Sequence, residues 1–412
     1  MMYEQIIELT KELERDAIGF TRKLIRTPSL SGSEKEVADL CLTEMKQLGY
    51  DEVFRDGVGN VVGIIKGTGE GQNLMLNSHM DQVDIGDRKN WQYDPYGAEI
   101  VDGYIHGRGA CDDKGGLATQ VYAGAVLKRL GKLKGDLILA AVVQEEATGM
   151  FGMQYFCDVT CPQKELNFAL MVSSEATSLN LFLGHRGRTE IEVNTYGRTC
   201  HASTPERGLN AVSKMVPILA AIPEIARQLP NHPVLGQASL ALTNITCSPG
   251  RLSILPDLCT IALDRRLVPG ETAAQVLQPF NALIDQLKRG DPEFQAEACI
   301  KKVQETSYTG YTAAVEKKLN AWLLEPNHEY VQLAVRALKR VGQNPGFGRW
   351  DFATDASYVT GELGIPSIGY SPMEESYAHT PYDCVKITNI GKAIAGNAAI
   401  AADFCGLAQQ SK

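Results

Sequence analysis

The chain has no cysteine pair at zinc-knuckle or thioredoxin spacing, no apolar run of membrane-spanning length and no excess of positive charge. Its ten cysteines (Cys41, Cys111, Cys157, Cys161, Cys200, Cys247, Cys259, Cys299, Cys384 and Cys405) are scattered, which fits reduced thiols better than a disulfide framework. The opening segment sets Glu4, Glu8, Glu12 and Glu14 around Lys11, so it lacks the cationic front and apolar middle of a signal peptide. Without an apolar run near 20 residues a membrane span is not expected either. A cytoplasmic location is the expectation. A formal net charge of −9 makes nucleic acid and anionic membranes poor partners, and a small molecule the better one.

What is present is material for two cores. With 44% hydrophobic and 22% charged residues over 412 positions, the chain can bury one large core and a second, smaller one. Helical spacing runs through Ile6, Leu9, Leu13, Ala17 and Leu24, and Pro28 closes it. A second helix follows, with Ser33 and Glu36 in capping-box register. Strand, helix and strand then alternate up to about residue 186, which predicts an α/β fold with a mostly parallel central sheet covered on both faces. From about Gly187 the order becomes βαββαβ, a ferredoxin-like α+β unit inserted into the first domain. The expected division is 1–186 for the first part of the catalytic domain, 187–303 for the insert and 304–412 for the second part.

Five segments rich in apolar residues run into acids or imidazoles: Leu74 to Asn77 before His79 and Asp81, Gly103 to Gly109 before Asp112, Leu137 to Val143 before Glu145 and Glu146, Phe168 to Val172 before Glu175, and Ile365 to Tyr370 before His379. Carboxyl ends of strands are where open α/β sheets bind ligands. By strand alternation His79 and Asp81 face the same way, so His79 can bind a metal while Asp81 holds the other ring nitrogen. Taken alone, the pair reads equally well as an ordinary loop start. The glycine-rich stretch Gly107 to Gly116 lacks the Lys-Ser or Lys-Thr of a phosphate-binding loop, and its better use is to present Asp112 rigidly between two cations. Asp113 then points outward or lies behind the ligands.

Two adjacent carboxylates, Glu145 and Glu146, at the end of an apolar strand are costly to bury unless cations compensate them. Successive side chains diverge, so one can bind metal while the other serves as general base. The alternative is a solvated pair on a loop. Together the donors give each of two ions one imidazole and one carboxylate, with Asp112 shared. Two divalent cations against three ligating carboxylates leave one positive charge for a hydroxide. Nitrogen and oxygen donors suit zinc, with cobalt or manganese as substitutes.

Ser78-His79-Met80-Asp81, Gly107 to Gly116, Glu145-Glu146, Ser174-Glu175 and Ala378-His379-Thr380-Pro381, in this order over nearly the whole chain, resemble the dinuclear zinc family of aminoacylase and carboxypeptidase G. That family includes acetylornithine deacetylase and succinyl-diaminopimelate desuccinylase. The resemblance implies His79 and Glu175 on one zinc, Glu146 and His379 on the other, Asp112 bridging, Glu145 as base and Asp81 orienting His79. It makes the insert a lid and dimerisation domain, whose His201 reaches the partner subunit's site to stabilise an oxyanion. It places Arg266 where an arginine suits a substrate carboxylate. Gly184-His185-Arg186-Gly187 looks like a little-characterised deacylase subgroup, with His185 and His106 structural or supporting. Ser253, Ser371-Pro372-Met373 and Asp383 depart from the family pattern, the latter two near the second zinc.

The expected function is metal-dependent hydrolysis of an amide bond in a small N-acyl, N-carbamoyl or peptidyl amino acid, through a metal-bound hydroxide with Glu145 as base. A dipeptidase or carboxypeptidase shares all the named ligands. A zinc-binding scaffold without turnover is the alternative of another class, against which Glu145 argues, since structure needs no base. A nucleotide-binding enzyme would rest on the Gly107 to Gly116 loop alone.

Overall fold

The computed structural model describes residues 2–147 and 150–408. A nine-stranded sheet runs in the spatial order Glu52–Arg55, Val61–Ile65, Leu137–Val142, Leu74–His79, Leu170–Ser173, Ser367–Gly369, Leu181–His185 and Trp322–Leu323, with Phe347–Trp350 also paired to Leu181–His185. The four strands from Leu137–Val142 to Ser367–Gly369 are parallel, and they are buried throughout, as their unbroken apolar runs require. The flanking strands Glu52–Arg55, Val61–Ile65 and Trp322–Leu323 pair antiparallel, so the sheet is parallel at its centre and mixed at its margins.

Alternate residues of one strand enter separate cores. Leu74, Leu76, Leu137 and Leu139 pack into a cluster with the helices Met2–Ile25, Gly115–Leu130 and Ile387–Cys405, whereas Met75, Ile138 and Ala140 join Phe156, Trp322 and Trp350. Period-two alternation explains this division, and it covers the sheet on both faces.

The chain enters a second sheet at Gly187. Gly187–Tyr196, Ser239–Ser248, Leu258–Leu267 and Gln295–Ile300 are antiparallel in the order second, third, first, fourth, with Ala211–Arg227 and Ala273–Gly290 supplying the two helices. Ile191, Val193, Met215, Ile261 and Phe280 form its own core. The expected boundary at 303 falls in the hairpin Lys302–Thr306 with Thr312–Glu316; Lys318–Leu319 still pairs with Gly187–Tyr196 before Trp322–Leu323 rejoins the large sheet.

Two local expectations fail. The Ser33 and Glu36 capping box does not form: the helix is Lys35–Gln47, Glu34 stands at its N-cap, and no side chain caps it. Glu34 instead turns back to accept from the backbone N–H groups of Gly32 and Gln144. The Tyr104–His106 strand before Asp112 belongs to a separate three-stranded sheet, so Asp112 does not leave the end of a main-sheet strand.

Candidate metal centre

His79 ends a buried strand, and its ring is held from behind and approached from the front. Nδ1 lies 3.1 Å from the Asp81 carbonyl oxygen and 3.4 Å from Asp81 Oδ1, while Nε2 lies 2.9 Å from Asp112 Oδ1 and 3.5 Å from Glu175 Oε1. The other Asp112 oxygen, Oδ2, is 3.1 Å from Nε2 of His379, which stands 3.0 Å from Glu146 Oε2. One carboxylate therefore spans two imidazoles, and each imidazole has a second carboxylate. Single donor atoms of His79, Asp112 and Glu146 lie within 4.8 Å of one another, as do those of His79, Glu145 and Glu175. Glu145 thus faces the same space as the ligand candidates.

The supports come from distant parts of the chain. Asp81 accepts the backbone N–H of Glu145 on one oxygen and of Glu146 on the other, both at 3.1 Å, and the Ser31 hydroxyl at 2.6 Å. It therefore fixes the carboxylate pair as well as His79. Asp383, fully buried, accepts from Gly109 N at 2.8 Å, Cys111 N at 2.7 Å and Arg108 Nη1 at 2.9 Å, and so clamps the loop that presents Asp112. Of the two places expected for Asp113, outward or behind the ligands, it takes the second. It is buried and takes the His79 N–H at 3.2 Å and the Ser174 hydroxyl. His379 sits at φ 58, a left-handed conformation that costs a non-glycine residue on the order of 1–3 kcal/mol and marks a position held by its surroundings.

Electrostatics describes a site short of positive charge. Burial pushes the Glu145 and Glu175 carboxyls well above the ordinary range and that of Glu146 upward, and it raises Asp113 to about 7. Asp112 goes the other way: burial opposes its charge, but hydrogen bonds from His379 and His79 outweigh burial and lower it. Hydrogen bonds with Asp112 and Glu146 raise His379 to about 10, and those of His79 with Asp112 and Asp81 overcome burial to raise it well above its usual value. Protons are thus drawn onto imidazoles and carboxylates alike, where cations would serve better. The donor set of two imidazole nitrogens and several carboxylates fits divalent metal.

Asp112, Glu145, Glu146, Glu175 and His379 line a cleft of about 370 Å³, and so do Arg188 and Arg266 of the smaller domain. Within one chain His201 does not reach it; the ring is exposed, with Nδ1 at 2.6 Å from Ser203 Oγ. His185 and His106 also lie away from the cluster. His185 is fully buried beside Trp322 and Trp350, and half-buried His106 packs against Tyr93 with the rings tilted.

Residues 75–403 match the family model described as peptidase family M20/M25/M40. The chain belongs to this family. An uncharacterised Escherichia coli K12 protein, YgeY, is 35% identical over 92% of each chain. A succinyl-diaminopimelate desuccinylase of Cereibacter sphaeroides is 25% identical over 86% of this chain and 90% of its own. Among solved structures the fold matches the Bacillus subtilis YXEP protein, described as a dinuclear metal-binding peptidase of family M20, with a TM-score of 0.68 at 15% identity, covering 95% of this chain and 98% of that one. As an M20/M25/M40 member the protein is a metal-dependent hydrolase of carbon–nitrogen amide bonds.

Sequence reasoning missed Glu34, Asp355 and Arg188, and it left the job of Asp383 open. Asp355, buried, accepts from Asn77 Nδ2 at 2.9 Å behind the His79 strand, and burial raises it to about 6. Glu34 was hidden by the capping pattern around it. Nothing local singles out Asp355, whereas the alternation of Gly187–Tyr196 puts Arg188 on the face opposite the buried one.

Proposed function

We propose that this M20/M25/M40 peptidase cleaves the amide bond of a small N-acyl, N-carbamoyl or peptidyl amino acid, with two zinc ions per subunit, or cobalt or manganese in their place. The observation that carries this reading is the Asp112 carboxylate shared between His79 and His379, each with a further carboxylate beside it. His79 and Glu175 would hold one ion, Glu146 and His379 the other, and Asp112 both. Bound there, the ions would polarise the scissile carbonyl and acidify the attacking water.

Glu145 takes the proton from that water and delivers it to the leaving nitrogen, so that no net proton is gained by the protein over the cycle. Its burial favours the protonated form it must pass through. Asp81 keeps the proton on Nδ1 of His79, leaving the Nε2 lone pair for metal. Arg266 binds a substrate carboxylate, and His201 of a second subunit hydrogen-bonds the developing oxyanion in a homodimer joined through the smaller domain. The protein works in the cytoplasm.

Replacing Glu145 by Ala is expected to leave two metals per chain and to reduce turnover by about 10²–10⁴-fold, the usual contribution of a positioned proton carrier. Elemental analysis and a panel of acyl, carbamoyl and dipeptide substrates measure both. Loss of one metal in that variant would exchange the roles of Glu145 and Glu146. A wild type that binds both metals and hydrolyses nothing across the panel would instead favour a binding scaffold.

A further inference from the structure

The backbone that carries Glu145 and Glu146 is held at each residue from 144 to 147. Glu34 Oε1 accepts the Gln144 N–H at 3.2 Å, and the two oxygens of Asp81 accept those of Glu145 and Glu146, each at 3.1 Å. Gln144 is itself left-handed, at φ 53, so the chain turns sharply out of the strand before it and needs such anchors. Glu34 and Asp81 belong to the catalytic domain. Two further bonds come from the segment on which the chain leaves the smaller domain: Gln144 Nε2 donates to the Thr306 carbonyl at 2.9 Å, and Lys317 Nζ donates to the Ala147 carbonyl at 2.5 Å.

Lys317 is rooted in one domain and reaches into the other. Its N–H donates to the Lys301 carbonyl at 2.8 Å and its own carbonyl accepts from Glu190 N at 3.0 Å, so its backbone is locked against the smaller sheet. The side chain is only 10% exposed, with Glu305 Oε1 3.2 Å from Nζ. A lysine is seldom buried without a partner, and Glu305 supplies one. Pairing with Glu305 does not by itself require the reach to Ala147, one residue beyond Glu146; an ammonium with three donors can serve both. Leu319, two residues further on, lines the cleft that holds the metal ligands.

We propose that Lys317 is a positioning residue: from the smaller-domain side it holds the turn by the Ala147 carbonyl, so that Glu145 faces the attacking water and Glu146 stands beside His379. This deepens the proposed function and rests on it for the roles of Glu145 and Glu146. Lys317 acts through the backbone and not on the substrate. Glu34 and Asp81 fix the start of the turn by its N–H groups, and Lys317 fixes its end. Proton transfer needs its partners within hydrogen-bond reach, and a misplacement of about 1 Å costs on the order of 100-fold in rate.

The test compares wild type with Lys317→Met, which keeps an apolar stem and removes the ammonium, and with Lys317→Arg, which can still donate to the carbonyl. On whichever substrate the acyl, carbamoyl and dipeptide panel selects, kcat is expected to fall about 10- to 100-fold in Lys317→Met while KM stays within about threefold. Lys317→Arg should recover part of that loss, and both variants should keep two metals per chain. Lost packing alone would lower the melting temperature and leave the kcat of the folded protein unchanged. A second readout needs no turnover: cobalt-loaded Lys317→Met is expected to show an altered visible absorption spectrum, because the Glu146 carboxylate is displaced. Unchanged kcat and an unchanged spectrum in folded Lys317→Met would overturn the assignment and leave the proposed function standing. An altered spectrum in a protein whose wild type hydrolyses nothing on the panel would uphold the positioning role and refute the proposed function.

Discussion

His185 shows how far one side chain can tie stability to pH without touching the reaction. Its Nδ1–H donates to the Arg186 carbonyl at 3.0 Å, and Nε2 accepts from the Trp322 indole at 2.8 Å and Thr354 N at 3.1 Å, which requires the neutral ring. Burial lowers its pKa to about 4, against about 6.5 for an unfolded histidine. Between those values the unfolded chain binds the extra proton, so this contribution is complete above pH 6.5 and is lost as pH falls toward 4. Its size is on the order of 3 kcal/mol. His185→Gln, which cannot titrate, is expected to be less stable at pH 7 and to lose less stability than wild type between pH 6.5 and 4.5, as read by urea unfolding. Parallel curves for the two proteins would refute the assignment. The supporting, non-catalytic place of His185 was legible in the sequence; its partners were not, because Trp322 and Thr354 are 137 and 169 residues away. The same holds for Asp383, a departure noticed beside His379 whose hold on Gly109 and Cys111 appears only once the chain is folded.

Among the elements, the strand Ser239–Ser248 combines legible alternation with an exposed outcome. It lies at one end of the smaller sheet, with Leu258–Leu267 its one partner among the described strands, and it is exposed along nearly its whole length. Leu242 and Ile245 are 40% and 49% exposed, and Val216 on the neighbouring helix 56%. An open edge flanked by apolar side chains is a template for pairing with another strand, and a second copy is the partner that the expected dimer supplies. Ile245→Lys is predicted to yield monomers by sedimentation, with turnover falling as His201 loses its place in the opposite subunit. Mixing His201→Ala with Glu145→Ala protomers should then restore activity, because each mixed dimer assembles one site with both groups intact. A fully active monomer would refute the shared site. The main sheet was legible at its centre, where unbroken apolar runs demand burial on both faces. Its antiparallel margins were not, because the polarity of Val61–Ile65 or Trp322–Leu323 is decided by connections and leaves no mark on apolar pattern. Asp112 illustrates the same limit: an apolar stretch precedes it, but its loop is held by Asp383 and not by a main-sheet strand.

At the scale of the molecule, the site joins segments from residue 31 to residue 383, so whatever binds there stabilises the whole catalytic fold. Without cations the cluster is held by protons: His379 is raised to about 10 by Asp112 and Glu146, and burial raises Glu145, Glu146 and Glu175. Imidazoles and carboxylates bind metal only when deprotonated, so zinc must displace those protons. Affinity should therefore rise between pH 6 and pH 8, and calorimetry in buffers of different ionisation enthalpy should show more than one proton released as both ions bind. A ligand bound only by the folded state adds about 4 kcal/mol at a thousandfold excess over its dissociation constant. The melting temperature is accordingly expected to climb on zinc addition, more steeply at pH 8 than at pH 6, and to fall back on chelation. Zinc binding with no proton release and no dependence on pH would place the ions away from His79, Glu146 and His379, since nothing bound among those side chains could leave their protons undisturbed.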